Sequence, residues 1–142
     1  TTGDFEEICN QLRLYQAALR TCFTLENFDN LIKNGRMRPI VGTLLRSLGI
    51  HIIADATAEG TIHVADKARG VGKTYRAITA LMKASKDCTD AEVVISHCEN
   101  LEGAMALKRQ ILADLPVKQV DLLSCRGLTS FYAMEKGLIV GY

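Results

Sequence analysis

The stretch that decides the fold is AEVVISHCENLEGAMALKRQILADLPVKQVDLL, residues 91–123. It begins with an apolar run at 91–97 that is rich in β-branched residues, which is typical of a buried strand. Asn100 then caps a long helix that ends at Pro116, and residues 117–123 form another strand. A strand, a helix and a strand in this order favour a crossover that returns the chain parallel to its first strand. The stretch therefore predicts an α/β fold.

The segments on both sides of this unit add antiparallel strands and more helices. Apolar residues recur with the helical period at 4–20, 28–34, 39–48 and 72–85, and in strand-like runs at 22–25, 50–54, 61–65 and 137–142. The runs at 50–54 and 61–65 flank Glu59-Gly60, which predicts a hairpin. Residues 130–136 carry no clear pattern. The sequence thus predicts an α/β fold whose mixed sheet has helices packed on it.

The first helix has its own start signal and one apolar stripe. Asp4 and Glu7 have the spacing of a capping box. The stripe that follows consists of Phe5, Ile8, Cys9, Leu12, Tyr15 and Leu19. This pattern predicts an amphipathic helix.

Length and charge exclude several classes of protein. A chain of 142 residues has the size of one domain, and we expect residues 1–142 to form a single α/β domain. Seventeen Lys and Arg against sixteen Asp and Glu leave a formal charge of +1, so the chain has no basic field to attract nucleic acid. Its apolar runs are shorter than the ~20 residues of a membrane-spanning helix, and its acidic start is unlike a signal peptide. We therefore expect no nucleic-acid partner and no stable membrane insertion.

The cysteines indicate a reducing compartment. They are spread along the chain as Cys9, Cys22, Cys88, Cys98 and Cys125. No two of them have the short spacing of a zinc site or a CxxC redox motif, so no metal site is predicted. Because scattered thiols in odd number are usual for proteins of the cytosol, we expect a cytoplasmic protein.

One segment is similar to the end of a phosphate-binding loop. Gly72-Lys73-Thr74 has the last residues of the P-loop pattern, but position 67 is lysine where that pattern needs glycine. A cluster of cations surrounds this helix start, formed by Lys67, Arg69, Lys73 and Arg76. Because the amides at a helix N-terminus favour anions, a nucleotide-binding or phosphotransfer domain is an alternative function.

Two further segments carry residues that are suited to binding. Arg36 and Arg38 lie beside a glycine turn at Asn34-Gly35, and arginine contacts carboxylates and phosphates in a bidentate manner. Ser96 and His97 lie at the carboxyl end of a strand, where ligands gather in open α/β sheets. No nucleophile elbow accompanies them, so no hydrolase and no catalytic residue is predicted.

Four segments of the chain occur in an order that resembles the DegV family. They are FDNLIKNGRM at 28–37, the apolar helix that ends at Leu48-Gly49-Ile50 with the hairpin at Gly60, Lys67-Ala68-Arg69-Gly70, and Ile95-Ser96-His97 followed by Asn100 and Ala104. The resemblance covers roughly residues 6–127. DegV proteins are bacterial two-domain proteins of about twice this length that hold a long-chain fatty acid between their domains. The resemblance therefore implies that this chain is the C-terminal domain alone, without its N-terminal domain.

The resemblance also implies fatty-acid binding without catalysis and without a cofactor. Arg36 matches the arginine near the acyl headgroup, and we place His97 in the same vicinity. Arg69 matches an arginine implicated in docking a fatty acid kinase, and Arg38 is a second candidate for docking. A partner-docking module without a ligand is a further alternative.

The chain departs from the family near its end. The family has a His-Thr-Gly-Pro-Gly stretch whose histidine approaches the carboxyl group, whereas the aligned run here is Ala133-Met134-Glu135-Lys136-Gly137. Carrying a lipid needs mainly an apolar tunnel, in which each buried methylene contributes about 0.8 kcal/mol. We expect the tunnel walls in the helix with Leu44, Leu45 and Leu48.

Overall fold

The structure, a computed structural model, describes residues 4–37, 49–57 and 60–142. The predicted helix at 39–48, with Leu44, Leu45 and Leu48, lies outside these residues. Arg38 and Glu59 lie outside them as well.

Within the described residues, one sheet contains six strands: β1 (Thr21–Leu25), β2 (Ile50–Ala56), β3 (Ile62–Arg69), β4 (Glu92–His97), β5 (Gln119–Ser124) and β6 (Leu138–Gly141). Their order across the sheet is β3-β2-β1-β6-β4-β5. β4 and β5 run parallel, from Glu92 opposite Gln119 to His97 opposite Ser124. The other described pairs are antiparallel. The predicted mixed sheet is thus confirmed.

The described residues also form five helices: α1 (Phe5–Ala18), α2 (Asp29–Lys33), α3 (Val71–Ser85), α4 (Leu101–Asp114) and α5 (Gly127–Ala133). α4 is the predicted crossover between β4 and β5, and the Asn100 side chain caps it by accepting a hydrogen bond from Gly103 N at 3.2 Å. α5 begins ahead of the stretch 130–136 and includes part of it. A helix of seven residues is too short to show a helical period clearly, which explains why the sequence left this stretch unassigned.

The hairpin of β2 and β3 is confirmed, but β3 is longer than predicted. The apolar pattern ends near residue 65, whereas the strand continues to Arg69, which pairs with Ile50. β3 lies at the edge of the sheet, where polar side chains can face solvent while the neighbouring strand supplies the hydrogen bonds. Lys67 and Arg69 are therefore exposed on an edge strand.

Helices cover both faces of the sheet. α3 and α4 pack on one face, the α3/α4 face, whose core includes Ile53, Ile78, Val93, Ile95, Leu107, Ile111 and Val140. α2 and α5 lie on the other face, the α2/α5 face, whose core includes Leu25, Phe28, Leu31, Ile52 and Ala133. Each fully buried aliphatic side chain contributes about 1.5–3 kcal/mol. Among the described residues, the larger cluster lies on the α3/α4 face and contributes most of the hydrophobic stability.

The first helix forms where predicted but remains at the surface. α1 buries no residue within the described part of the chain, and Phe5 and Leu12 are 78% and 55% exposed. The side chain of Asp4 makes no cap hydrogen bond with described residues, so the expected capping box is wrong. The apolar stripe of α1 therefore stays largely exposed.

The turn from α5 to β6 requires a glycine. Met134 and Lys136 have positive φ angles of 52° and 65°. The backbone then approaches itself so closely that a Cβ atom at Gly137 would overlap the carbonyl oxygen of Ala133. Lys136 N donates to Cys98 O at 2.8 Å, and Cys98 N donates to Gly137 O at 3.0 Å. These bonds attach the turn to the end of β4.

Replacing Gly137 by alanine is expected to lower the free energy of unfolding by about 1–3 kcal/mol, because the new methyl group meets backbone that cannot move aside. Urea unfolding measures the loss. Gly141→Ala is the matched control, since no atom of the described residues lies within 4 Å of a Cβ there. Its unfolding free energy should change by less than about 0.5 kcal/mol. Equal losses in the two variants would show that the turn does not depend on Gly137.

Candidate functional site

An apolar cavity of about 360 Å³ lies on the α2/α5 face of the sheet. Its walls include Phe23, Leu25, Leu31, Tyr132, Ala133 and Ile139. The Asn30 side chain in α2 donates a hydrogen bond to the carbonyl oxygen of Phe131 in α5 at 2.6 Å, which joins the two helices beside the cavity. Ligand sites of about 300–1,000 Å³ are typically apolar with few polar groups, so the cavity suits a mainly apolar ligand.

Strand periodicity places the side chains that line this cavity. Phe23 of β1 lies opposite Ile139 of β6, and both side chains face the cavity. Side chains alternate along a strand, so Leu25 faces the same side as Phe23, whereas Cys22 and Thr24 face α3 and α4. The floor of the cavity is therefore built by the central β1–β6 pair.

Arg36 lies at the cavity because α2 ends just before it. Asn34 is the C-cap, and Gly35 has a φ of 67°, a left-handed conformation that favours glycine. Arg36 N then donates to Leu31 O at 2.8 Å. The predicted helix end at Asn34-Gly35 is confirmed. The exposed guanidinium of Arg36 brings a positive charge to a mostly apolar lining.

His97 lies on the opposite face of the sheet from Arg36. Val93 and Ile95 belong to the core of the α3/α4 face, and alternation along β4 directs His97 to the same face. His97 is buried, and its Nδ1 accepts a hydrogen bond from Asn100 N at 3.4 Å. The structure thus does not bring Arg36 and His97 to one cavity, and a headgroup role for either residue stays a prediction.

A second cavity, of about 270 Å³, lies on the α3/α4 face and has a more polar lining. Burial raises the pKa of the Tyr75 hydroxyl, and the carboxylates of Glu102 and Glu26 raise it further. Lys136 Nζ lies 3.5 Å from the Glu26 carboxylate. The hydroxyl of Thr24 is buried without a hydrogen-bond partner among the described residues. Two carboxylates and one ammonium do not provide the cationic lining of a phosphate site.

The segment Gly72-Lys73-Thr74 does not form a phosphate-binding loop. Thr74 is buried, and its hydroxyl donates to Gly70 O at 3.1 Å within the first turn of α3. The preceding strand β3 is an antiparallel edge strand, whereas a P-loop follows a buried parallel strand. Lys73 and Arg69 are exposed. The geometry favours a basic surface over a nucleotide site, and docking through Arg69 stays a prediction.

Other kinds of site find no support in the part of the chain that the structure describes. Within residues 4–37, 49–57 and 60–142, no three His, Cys, Asp or Glu side chains are grouped to hold a metal ion. No described helix has both the length and the apolar composition to cross a bilayer. Arg38, the second predicted docking residue, lies outside the described residues.

Phe23, Ile139 and Tyr132 line the apolar cavity, and no pattern in the sequence marked them as wall residues. The walls predicted at Leu44, Leu45 and Leu48 lie outside the described residues and stay a prediction. The runs at 22–25 and 137–142 were predicted as strands correctly. Their pairing could not be predicted, because no local pattern specifies which of several distant strands will be a neighbour.

The chain is similar to one described family over almost its whole length. The family model described as an uncharacterised protein of the DegV family matches residues 2–138. A DegV domain-containing protein of Streptococcus pneumoniae is 34% identical over 139 residues, which cover 97% of this chain and 49% of that protein. A DegV domain-containing protein of Streptococcus gordonii is 32% identical with the same coverage. The chain therefore spans about half the length of the curated relatives it matches.

Several solved structures of similar fold hold fatty acids. The Fatty Acid Kinase (Fak) B3 protein of Streptococcus pneumoniae, loaded with linoleic acid, is 33% identical with a TM-score of 0.88 over 99% of this chain and 50% of that one. A DegV family protein of Ruminococcus gnavus with vaccenic acid is 30% identical, with the same TM-score and coverage. A DegV family protein of Eubacterium eligens, loaded with heptadecanoic acid, is 28% identical with a TM-score of 0.89. The match covers 98% of this chain and 50% of that one. The predicted α/β fold is confirmed by these similarities.

Replacing Thr24 by valine is expected to raise the free energy of unfolding by about 1 kcal/mol, because valine keeps the shape and removes a buried hydroxyl that has no partner among the described residues. Thr79→Val is the matched control. The Thr79 hydroxyl donates to the Asp114 carboxylate at 2.7 Å, so this variant should lose about 1 kcal/mol. Urea unfolding compares the two variants. A loss of stability in Thr24→Val would show that the Thr24 hydroxyl has a partner in the polar cavity.

Proposed function

The chain belongs to the DegV family, and from this membership we propose that it binds a long-chain fatty acid in the cavity on the α2/α5 face. One observation carries the proposal: the chain has an apolar cavity with an arginine at its lining, in a family with members that were solved with linoleic, vaccenic and heptadecanoic acid. Each methylene group that leaves water contributes about 0.8 kcal/mol, so an acyl chain is stabilised there.

The guanidinium of Arg36 binds the carboxylate of the fatty acid in this proposal. Arginine forms two parallel hydrogen bonds with a carboxylate. Arg36 is exposed and lines the apolar cavity, so it can meet the charged end of a ligand whose chain lies inside. His97 lies on the opposite face of the sheet from this cavity. In this proposal it does not contact the lipid and instead supports the start of α4 by accepting a hydrogen bond from Asn100 N.

The chain acts as the C-terminal domain of a two-domain protein, whose other domain completes the site. It spans about half the length of its relatives. The cavity is near the lower end of the usual volumes for ligand sites, so a long acyl chain extends beyond it. The isolated chain therefore binds a fatty acid weakly. The activity is binding, without catalysis or a cofactor, and the five free thiols are in keeping with the cytoplasm.

Replacing Ile139 by arginine in the full-length protein is expected to weaken oleate binding at least about tenfold, because a charge in an apolar cavity costs more than 1.4 kcal/mol. Native mass spectrometry after bacterial expression detects the fatty-acid adducts, and a fluorescence titration gives the Kd. Leu128→Arg is the matched control, since Leu128 is 71% exposed on α5 and its replacement should leave binding unchanged.

The same titration tests the role of Arg36. Arg36→Gln should weaken binding of oleate and leave binding of oleyl alcohol unchanged, because the alcohol has no charge for the guanidinium. Equal effects on both ligands would show that Arg36 does not bind the carboxylate. An apo mass of the unmutated full-length protein, under conditions where other carriers retain lipid, would overturn the proposed function.

The proposal includes a docking surface for a fatty acid kinase. Arg69 is exposed at the end of the edge strand β3, and Lys67 and Lys73 add exposed positive charge on either side of it in the chain. The similar structure from Streptococcus pneumoniae, loaded with linoleic acid, is named the Fatty Acid Kinase (Fak) B3 protein. A basic surface attracts a partner with a complementary acidic surface.

Reversing the charge at Arg69 in the full-length protein is expected to raise the Kd for the fatty acid kinase of Streptococcus pneumoniae about tenfold, while oleate retention stays unchanged. Isothermal titration calorimetry measures the Kd. Arg109→Glu is the control with the same change of charge on the exposed side of α4. If both variants weaken the complex equally, the effect is one of net charge and Arg69 is not a docking residue.

A further inference from the structure

Two thiols lie side by side where β4 and β5 end. His97 opposite Ser124 is the last pair of the parallel register, and the hydrogen bond from Cys125 N to His97 O at 2.8 Å belongs to that pair. Cys98 and Cys125 directly follow this pair, one on each strand, and Cys98 N extends the β4–β6 pairing by donating a hydrogen bond to Gly137 O at 3.0 Å. Neighbouring strands are about 4.8 Å apart, and disulfides join Cα atoms about 4.4–6.8 Å apart. The backbone spacing thus suits a bond between the two sulfurs.

Both thiols face the same side of the sheet. Ile95 in β4 and Val120 in β5 belong to the core of the α3/α4 face, so alternation turns Cys98 and Cys125 to the α2/α5 face. Both cysteines pack against the core of that face and are partly exposed. Burial raises the pKa of the Cys125 thiol, and the Cys98 thiol beside it raises that pKa further. Because its thiolate is disfavoured, Cys125 is a poor nucleophile towards an oxidant.

The other cysteines lie in different surroundings. Cys22 and Cys88 are buried in the core of the α3/α4 face. Burial, followed by the charge of Asp55, raises the pKa of Cys22 to about 12, which makes this thiol inert. Cys9 is partly exposed on α1. Cys9 can therefore report how strongly a sample has been oxidised.

We infer that Cys98 and Cys125 form a dithiol that hydrogen peroxide converts into a disulfide. The Cys98 sulfur attacks one peroxide oxygen, the O–O bond breaks, and the other oxygen leaves as water with the thiol proton. The Cys125 sulfur then attacks the Cys98 sulfenic acid, the S–S bond forms, and a second water leaves. The two sulfurs lose two electrons, which the peroxide gains. Disulfides of this kind in the cytosol are transient and respond to redox state.

The disulfide would hold α5 at both of its ends. Cys125 lies just before α5, and Cys98 is hydrogen-bonded through its backbone N–H to Gly137 in the turn that follows α5. α5 supplies Tyr132 and Ala133 to the wall of the apolar cavity. This step rests on the proposed function: a fixed α5 slows the release of a fatty acid from the cavity.

Peptide mapping of this chain tests the dithiol. The chain is treated with hydrogen peroxide until Cys9 is oxidised, alkylated with N-ethylmaleimide and digested with trypsin without reduction. A disulfide between peptides 87–108 and 119–126 is expected, and alkylation before the peroxide should abolish it. Because Cys88 and Cys98 share the first peptide, Cys88→Ala should keep the cross-link and Cys98→Ser should lose it. The inference is overturned if oxidised Cys9 is found without the cross-link, or if the cross-link survives in Cys98→Ser.

Release of oleate from the full-length protein tests the effect on the cavity. Oleate is expected to dissociate about fivefold more slowly from the oxidised protein than from the reduced protein. This factor is at the lower end of typical coupling between two sites, here the thiol pair and the cavity. Cys98→Ser should remove the difference, whereas Cys88→Ala should retain it. Equal rates in the oxidised and reduced proteins would overturn the effect on the cavity. If neither form binds oleate, the proposed function and this effect fail together, while the cross-link observed by peptide mapping stands independently.

Discussion

The antiparallel pairing of β1 with β6 holds the two halves of the sheet together. The β2–β3 hairpin lies on one side of this pair and the parallel β4–β5 pair lies on the other. Reciprocal backbone bonds between Arg20 and Tyr142, at 2.8 and 3.0 Å, extend the pairing beyond β1. Because the two strands come from opposite ends of the described chain, the entropy lost on joining them must be offset by apolar burial on both faces. The architecture of both cavities depends on this pair.

The same two strands separate an apolar side from a polar side. Phe23 and Ile139 lie opposite each other and line the apolar cavity, while Thr24 and Leu138 form the next pair and line the polar one. The carboxylates of Glu26 and Glu102 are thus kept apart from the apolar cavity by the thickness of one sheet. This separation has a physical basis, because an ionised carboxylate that is buried in apolar surroundings without a partner is strongly destabilising.

Much of the fold followed from local patterns. Residues 91–123 predicted the parallel unit correctly, since the periods of strands and helices and the cap at Asn100 are properties of neighbouring residues. α5 and the polar end of β3 were missed, because a short helix and an edge strand depend on contacts from elsewhere. The similarity of Gly72-Lys73-Thr74 to a phosphate-binding loop is also a property of neighbouring residues only, and the structure does not form such a loop. In the structure, the Thr74 hydroxyl is bound within its own helix.

The amino-acid order alone specifies the long helices, the apolar strands, the turn at Asn34-Gly35 and the family. Tertiary structure decides which side chains share a face. It brings Arg36 to the apolar cavity, directs His97 to the other face, and packs Cys98 and Cys125 against the core of the α2/α5 face. These outcomes depend on strand register, in which a shift of one residue turns every side chain to the opposite face. Register is set by packing between segments that are distant in the chain, so no local pattern contains it.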